Sequence, residues 1–385
     1  MRILHLYKDY FPPTVGGIEQ SVERFATWSV RHGDEVTVLT SHPGSRSTIS
    51  EVVDGVRVVR CAEWARVWST PFGPDMPGEL RKLEADVFHL HFPSPPGEVS
   101  WLLKRPRGAT VITWHSDIIR QKAVLPVYGH FVHALLRGAD RVMTSFAAQA
   151  AASPFLRHYR DKVRVVPLGI DLERFASTRQ DSARTAALRA QVGEGPIVLF
   201  VGRIVGSKGL DVLLDAARAI EGRTVIVGDG PELARLRARC TAMGLDDRVV
   251  FTGRVDPDQV KDHVALASVG VLPSVYESYG LAMVEIMTNG VPMVCTELGT
   301  GTTFINRPGE TGLAVPPGDP GALAEALNRL LRDDALRRRL GENARARAHD
   351  YFSTDVMMRG IFRVYEEALA ARGGPRPAHP AGRDV

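Results

Sequence analysis

The residues best suited to chemistry lie in one run, SVGVLPSVYESYGLAMVEIMTNGVPMV, from Ser268 to Val294, in which Glu277 and Glu285 are separated by seven residues. The run reads as a buried strand, a tight polar loop, a short helix and a second buried strand. Gly280 opens that helix, and Asn289 with Gly290 closes it. A helix start leaves its first N–H groups without intrahelical partners and turns its positive dipole end to the loop, which makes a seat for phosphate. Glycine lets the main chain approach an anion, and Glu285, four residues beyond Leu281, projects from nearly the same face one turn deeper. A diphosphate capping this helix would put Glu285 against two ribose hydroxyls and leave Glu277 facing whatever lies beyond the second phosphate. The residues alone leave a second account open, with Glu285 neutralising a buried arginine and Glu277 a solvated loop residue.

Other groups could join them. The run FVGRIVGSKG, from Phe200 to Gly209, puts Arg203 and Lys208 between a strand and a helix, among glycines that let the loop fold round a guest. Such a loop suits a diphosphate leaving group, while a solvated basic turn is the plainer account. His115, in Trp114-His115-Ser116-Asp117, follows a strand and is either a satisfied structural histidine or a ligand contact. The run from Val227 to Glu232 imitates a dinucleotide fingerprint, yet Leu233 takes the place of the third glycine, which argues against a hydride enzyme. Asp256-Pro257-Asp258 looks like a metal-binding D-x-D but fits a helix N-cap followed by a first-turn proline, and no other His/Cys/Asp cluster has metal spacing. No metal and no resident cofactor are expected.

The pattern P-S-x-x-E-S-Y-G-L-A-M-V-E-I-M-x-x-G-V-P-M-V resembles the E-x7-E motif of retaining glycosyltransferase family 4, whose members have the GT-B fold. Tyr279 stands where phenylalanine is commoner, and Met287 to Gly290 replaces the usual small-residue run. G-R-x4-K-G is that family's upstream signature, so the resemblance implies that Arg203 and Lys208 bind the phosphates. It further implies that His115 contacts the donor sugar or its phosphate, that Glu277 acts at the sugar, and that Val255 offers its main chain to the base. Ser278, Tyr279, Gly280, Leu281 and Glu285 would hold the rest of the donor, and the Gly16-Gly17 loop would close against the phosphates. The strings His115 to Lys122 and Thr296 to Thr302 are close to those of bacterial rhamnosyl- and mannosyltransferases.

These loops need strands to hold them. The chain of 385 residues suits two domains. Strands at residues 2–7, 35–40, 56–60, 86–91, 110–114 and 141–144 alternate with helices, and a second series runs through 197–202, 224–228, 249–252, 269–272 and 293–295. The expected fold is therefore α/β, two doubly wound Rossmann-like domains facing each other across a cleft. The domains are read as 1–172 and 173–353, with a C-terminal helix at about 354–372 rejoining the first and 373–385 as a disordered tail. The polar stretch from Ser177 to Glu194 is expected to interrupt the strand rhythm, and a single helix to run from Ala322 to about Arg347.

A net charge of +4 is too small for a nucleic-acid binder and allows at most weak peripheral contact with a membrane. Three dispersed cysteines read as reduced thiols, and the first strand begins without an apolar leader, so a cytoplasmic location is expected. The expected activity is transfer of a hexose, mannose from GDP-mannose, from a nucleotide-sugar donor to an acceptor hydroxyl in polysaccharide or glycoconjugate assembly. The alternatives are transfer from another GDP- or UDP-sugar to a small soluble acceptor of specialised metabolism, a GT-B sugar-nucleotide epimerase and a non-catalytic nucleotide-sugar sensor. Acceptor, linkage and oligomeric state are not legible.

Overall fold

A computed structural model describes residues 1–14, 16–67, 69–117, 125–176 and 182–373. Residues 118–122 of the His115 string and nearly all of the expected tail lie outside the described residues. The chain divides into two units, Met1–Pro167 joined by the residues from Met358 onward, and Leu168–Met357.

The first unit holds β1 (Arg2–Leu6), β2 (Glu35–His42), β3 (Ile49–Val53), β4 (Val56–Ala62), β5 (Ala65–Val67), β6 (Thr70–Phe72), β7 (Val87–Phe92), β8 (Ala109–Trp114), β9 (Arg141–Thr144) and β10 (Val163–Val165). Eight of them form a sheet in the order β10-β9-β8-β7-β1-β2-β4-β3, parallel except for β3, and β5 with β6 makes a separate hairpin. Every residue of β7 (VFHLHF) and β8 (ATVITW) is buried, the signature of central parallel strands covered on both faces. Strand order reverses at β1, which lies between β2 and β7. The helix Gly17–Arg31 follows β1, with Gly16 as its N-cap. The stretch of the C-terminal helix beyond Met358 packs on this sheet, where the Arg141 and Arg164 side chains both donate to Glu367 Oε2, at 3.0 and 2.7 Å.

The second unit holds β11 (Ile197–Val201), β12 (Arg223–Val227), β13 (Val249–Gly253), β14 (Val269–Leu272), β15 (Met293–Thr296) and β16 (Gly312–Val315), all parallel, in the order β13-β12-β11-β14-β15-β16. Here the order reverses between β11 and β14. Open α/β sheets bind ligands at such a reversal, beyond the carboxyl ends of the strands. Among the described residues no helix is long and apolar enough to cross a membrane, and all three cysteines are buried free thiols.

The polar stretch after Ser177 interrupts the strands, and its described part holds a helix, Ser182–Val192. Other expectations are corrected. The helix expected from Ala322 to Arg347 is two, Pro320–Arg332 and Asp334–Phe352, broken where the Asp333 carboxylate accepts from Leu336 N at 2.8 Å and caps the second. Strands β3, β5, β6, β10 and β16 were not read from the sequence.

Candidate active site

The Arg203 loop follows β11 and the Glu277 loop follows β14, so neighbouring strands deliver both to the second unit's switch point. The loops are stitched together. Val275 N and Tyr276 N both donate to Ser207 O, at 2.9 and 3.2 Å. Gly209 makes this contact possible, because its φ is +65° and a Cβ there would stand 1.9 Å from Pro273 O. The result is an ion pair between Lys208 Nζ and Glu277 Oε2, with side-chain exposures of 21% and 13%. Glu277 Oε1 also accepts from Ser278 N at 3.1 Å. The exposed Arg203 guanidinium has no ion-pair partner among the described residues.

Gly280 opens the expected helix, which runs Leu281–Met287, only seven residues, with Gly280 at φ 95° as N-cap. Met283, Val284, Ile286 and Met287 are buried, while Leu281, Ala282 and Glu285 are half-buried. That division puts Leu281 and Glu285 on one accessible face, one turn apart. Tyr279 is placed differently from its loop neighbours. Its hydroxyl donates to Leu168 O at 3.3 Å and accepts from Leu168 N at 3.0 Å, and burial raises the phenol's pKa, so any contact of this residue with a ligand falls to its main chain. Val255 is half-buried just beyond β13, before the helix Pro257–Leu266. Asp256 caps that helix, and its N–H donates to Gln259 Oε1 at 2.9 Å, in keeping with capping rather than metal ligation.

The string from Thr296 to Thr302 buttresses the Glu277 loop. Thr296 Oγ1 donates to Ser274 O at 2.6 Å, Gly301 N donates to Ser278 O at 3.2 Å, and a Cβ on Gly301 would fall 2.4 Å from Tyr279 Cα.

In the first unit, Gly16 and Gly17 follow β1 at its switch point, and the Glu19 carboxylate packs against Gly16. His115 extends β8. Its N–H donates to Phe92 O at 3.0 Å and its carbonyl accepts from Gln149 Nε2 at 3.0 Å. Asp117 is pinned by Ser153 Oγ at 2.8 Å and Trp114 Nε1 at 3.2 Å. Burial drives the His115 pKa down to about 3, so the ring is neutral near pH 7.

Sequence reading missed what lies behind His115. His91 Nδ1 is 3.2 Å from His115 Nε2, and His5 Nδ1 is 3.0 Å from His91 Nε2. The expectation that no other His/Cys/Asp cluster has metal spacing is thus corrected: His5, far in sequence from His89 and His91, joins them with ring nitrogens within 4.8 Å of one another. Parallel pairing of β1 with β7 sets His5 beside His89, and alternation along β7 turns His89 and His91 to one face. Two histidines at i and i+2 in a fully apolar strand were the available signal.

Residues 186–347 match the family Glycosyl transferases group 1, and residues 15–174 match Glycosyltransferase Family 4. The chain is 34% identical over 376 residues to O-antigen chain mannosyltransferase C of Escherichia coli, covering 97% of this chain and 100% of that one. It is 36% identical over 358 residues to D-rhamnosyltransferase WbpZ of Pseudomonas aeruginosa, covering 92% of each. Among solved structures, sucrose-phosphate synthase from Thermosynechococcus elongatus aligns with a TM-score of 0.74 at 26% identity, over 96% of this chain and 99% of that one. Anabaena HepE, solved with UDP and glucose, aligns at TM-score 0.74 and 20% identity over 94% of this chain and 98% of that one, a likeness of fold. With its two Rossmann-like units and its relatives over nearly the whole length, the chain belongs to glycosyltransferase family 4 and is a glycosyltransferase of GT-B fold.

Proposed function

We propose that this glycosyltransferase moves mannose from GDP-mannose, with retention at the anomeric carbon, to an acceptor hydroxyl in polysaccharide or glycoconjugate assembly. The observation that carries the reading is the ion pair of Lys208 with Glu277, between the loop that also bears Arg203 and the loop that leads to the Gly280 helix start, where the second sheet's order reverses. In this reading Arg203 and Lys208 neutralise the leaving diphosphate, with the main chain of Ser278 to Leu281 beside it. Glu285 accepts from the ribose hydroxyls, Val255 meets the base, and Glu277 orients the sugar and favours positive charge at its anomeric carbon. His115 donates to the sugar or its phosphate. The choice of mannose and of a polymer acceptor draws on the O-antigen mannosyltransferase relative.

Thermal shift against GDP-, UDP- and dTDP-sugars tests the donor, since a ligand at about 100 times its Kd stabilises by about 2.7 kcal/mol. GDP-mannose should give the largest shift. Stabilisation by UDP-sugars alone would overturn the donor assignment, and conversion of the donor to a new sugar nucleotide without acceptor would mark an epimerase. NMR of the new linkage should find the donor's anomeric configuration kept.

A further inference from the structure

We infer that His91 is a positioning residue that holds His115 as its Nδ1–H tautomer, with His5 behind it setting the direction of the hydrogen-bond wire. Resting on the reading in which His115 meets the donor, this makes His115 a neutral hydrogen-bond donor, aimed at a phosphate or sugar oxygen and unsuited to accept a hydroxyl proton.

Most ring nitrogens of this cluster are already taken. His89 Nδ1 lies 2.7 Å from the Tyr365 hydroxyl and His89 Nε2 2.6 Å from Thr113 Oγ1, so His89 has nothing left to offer His5. His5 Nε2 is buried without a partner, and both remaining contacts run in line from His5 through His91 to His115. Burial holds all these rings neutral, and a neutral imidazole has one donor and one acceptor nitrogen. Only two directions are then possible. If His115 donated inward from Nε2, His91 would donate to His5, and His5 would be left with a buried N–H and no acceptor. If His5 donates outward, His91 donates from Nδ1 to His115 Nε2, His115 carries its proton on Nδ1, and the wire's one unmatched atom is a bare lone pair. Orphaned buried N–H groups are the rarer defect, so the outward direction holds.

The same inventory argues against reading His5, His89 and His91 as a metal cage. Five of their six ring nitrogens already have partners that a metal ligand would have to give up.

The test is a two-bond ¹⁵N–¹H correlation spectrum of the full chain labelled at histidine and recorded without ligand, with His115→Gln assigning the signal. His115 should have a protonated Nδ1 and a bare Nε2. His91→Asn keeps an amide donor where Nδ1 stood and should preserve that pattern. His91→Gln should lose it, shift His115 to the Nε2–H form, and lower kcat/KM at least about tenfold relative to His91→Asn. A wild-type His115 in the Nε2–H form, or one unmoved by His91→Gln, overturns the inference. If His91→Gln does not fold, the wild-type and His91→Asn spectra decide. The expected tautomers with unchanged kcat/KM would leave the wire standing and refute instead the role given to His115 at the donor.

Discussion

Glu277→Gln removes the counter-charge of Lys208 while nearly keeping the side chain's shape, and its effects on the empty and loaded protein should have opposite signs. With exposures of 21% and 13%, the pair lies between the surface case, about 0–1 kcal/mol, and the buried case, where loss of one partner costs about 3–5 kcal/mol. A cost of about 1.5 kcal/mol follows, or about 3–6 °C in the melting temperature of a unit this size. Free GDP should behave otherwise. Its phosphates no longer compete with Glu277 for the Lys208 ammonium, so GDP should bind the variant as tightly as the wild type or up to about tenfold tighter, about 1.4 kcal/mol. Turnover of GDP-mannose should fall, because the charge-assisted bonds lost from the sugar are worth about 1.5–3 kcal/mol, roughly 10- to 150-fold in kcat/KM. Glu285→Gln should instead weaken GDP and GDP-mannose by a similar factor, since both carry the ribose. Calorimetric titration with each ligand, alongside melting curves with and without GDP, reads all of this. Equal weakening of GDP by both variants would refute the separation of roles.

Gly209→Ala should destabilise the second unit by about 2 kcal/mol or more, because it strains a positive φ and sets a Cβ 1.9 Å from Pro273 O; a wild-type melting curve would show that the two loops need no such close approach. Glu98, buried with Ser94 N and the Tyr128 hydroxyl donating to it, has its pKa raised by burial from 4.5 to about 7. Between those values the folded chain keeps a proton that the unfolded chain has lost, so stability should fall by about 3 kcal/mol as pH rises from 4.5 to 7 and owe no slope to this group beyond. Glu98→Gln should flatten the decline in melting temperature between pH 5 and 7, and an unchanged slope would assign it elsewhere. Activity should survive EDTA, since Arg203, Lys208 and the Gly280 helix start supply positive field at the diphosphate; loss restored by magnesium or manganese would contradict this.

Much of this protein is written locally. Apolar runs bounded by glycine and proline mark both parallel sheets, and Gly280, Asn289 and Gly290 bracket the Glu285 helix. Among the strands that escaped notice, β3 lacks that signal, its first four residues being exposed at a sheet edge, whereas β16, Gly312–Val315 ahead of Pro316, carries it and was passed over. The break at Asp333 carries no glycine or proline, so two helices read as one. What could not be read is what depends on distance along the chain. Lys208 meets Glu277 across 69 residues through the Gly209 contact, and His5 meets His91 across 86 through strand order and register. The Thr296 to Thr302 string shows the converse. A motif legible as family likeness has a local role in bracing the loop that carries Glu277.

On this reading the second unit seats the donor's nucleotide diphosphate where β11 and β14 part. A crystal structure of the full chain with GDP would locate it. The diphosphate should lie between the Arg203 and Lys208 side chains and the main chain of Ser278 to Leu281, with the ribose hydroxyls on Glu285. GDP bound away from both loops, or a ribose that leaves Glu285 without a ligand contact, would contradict the account.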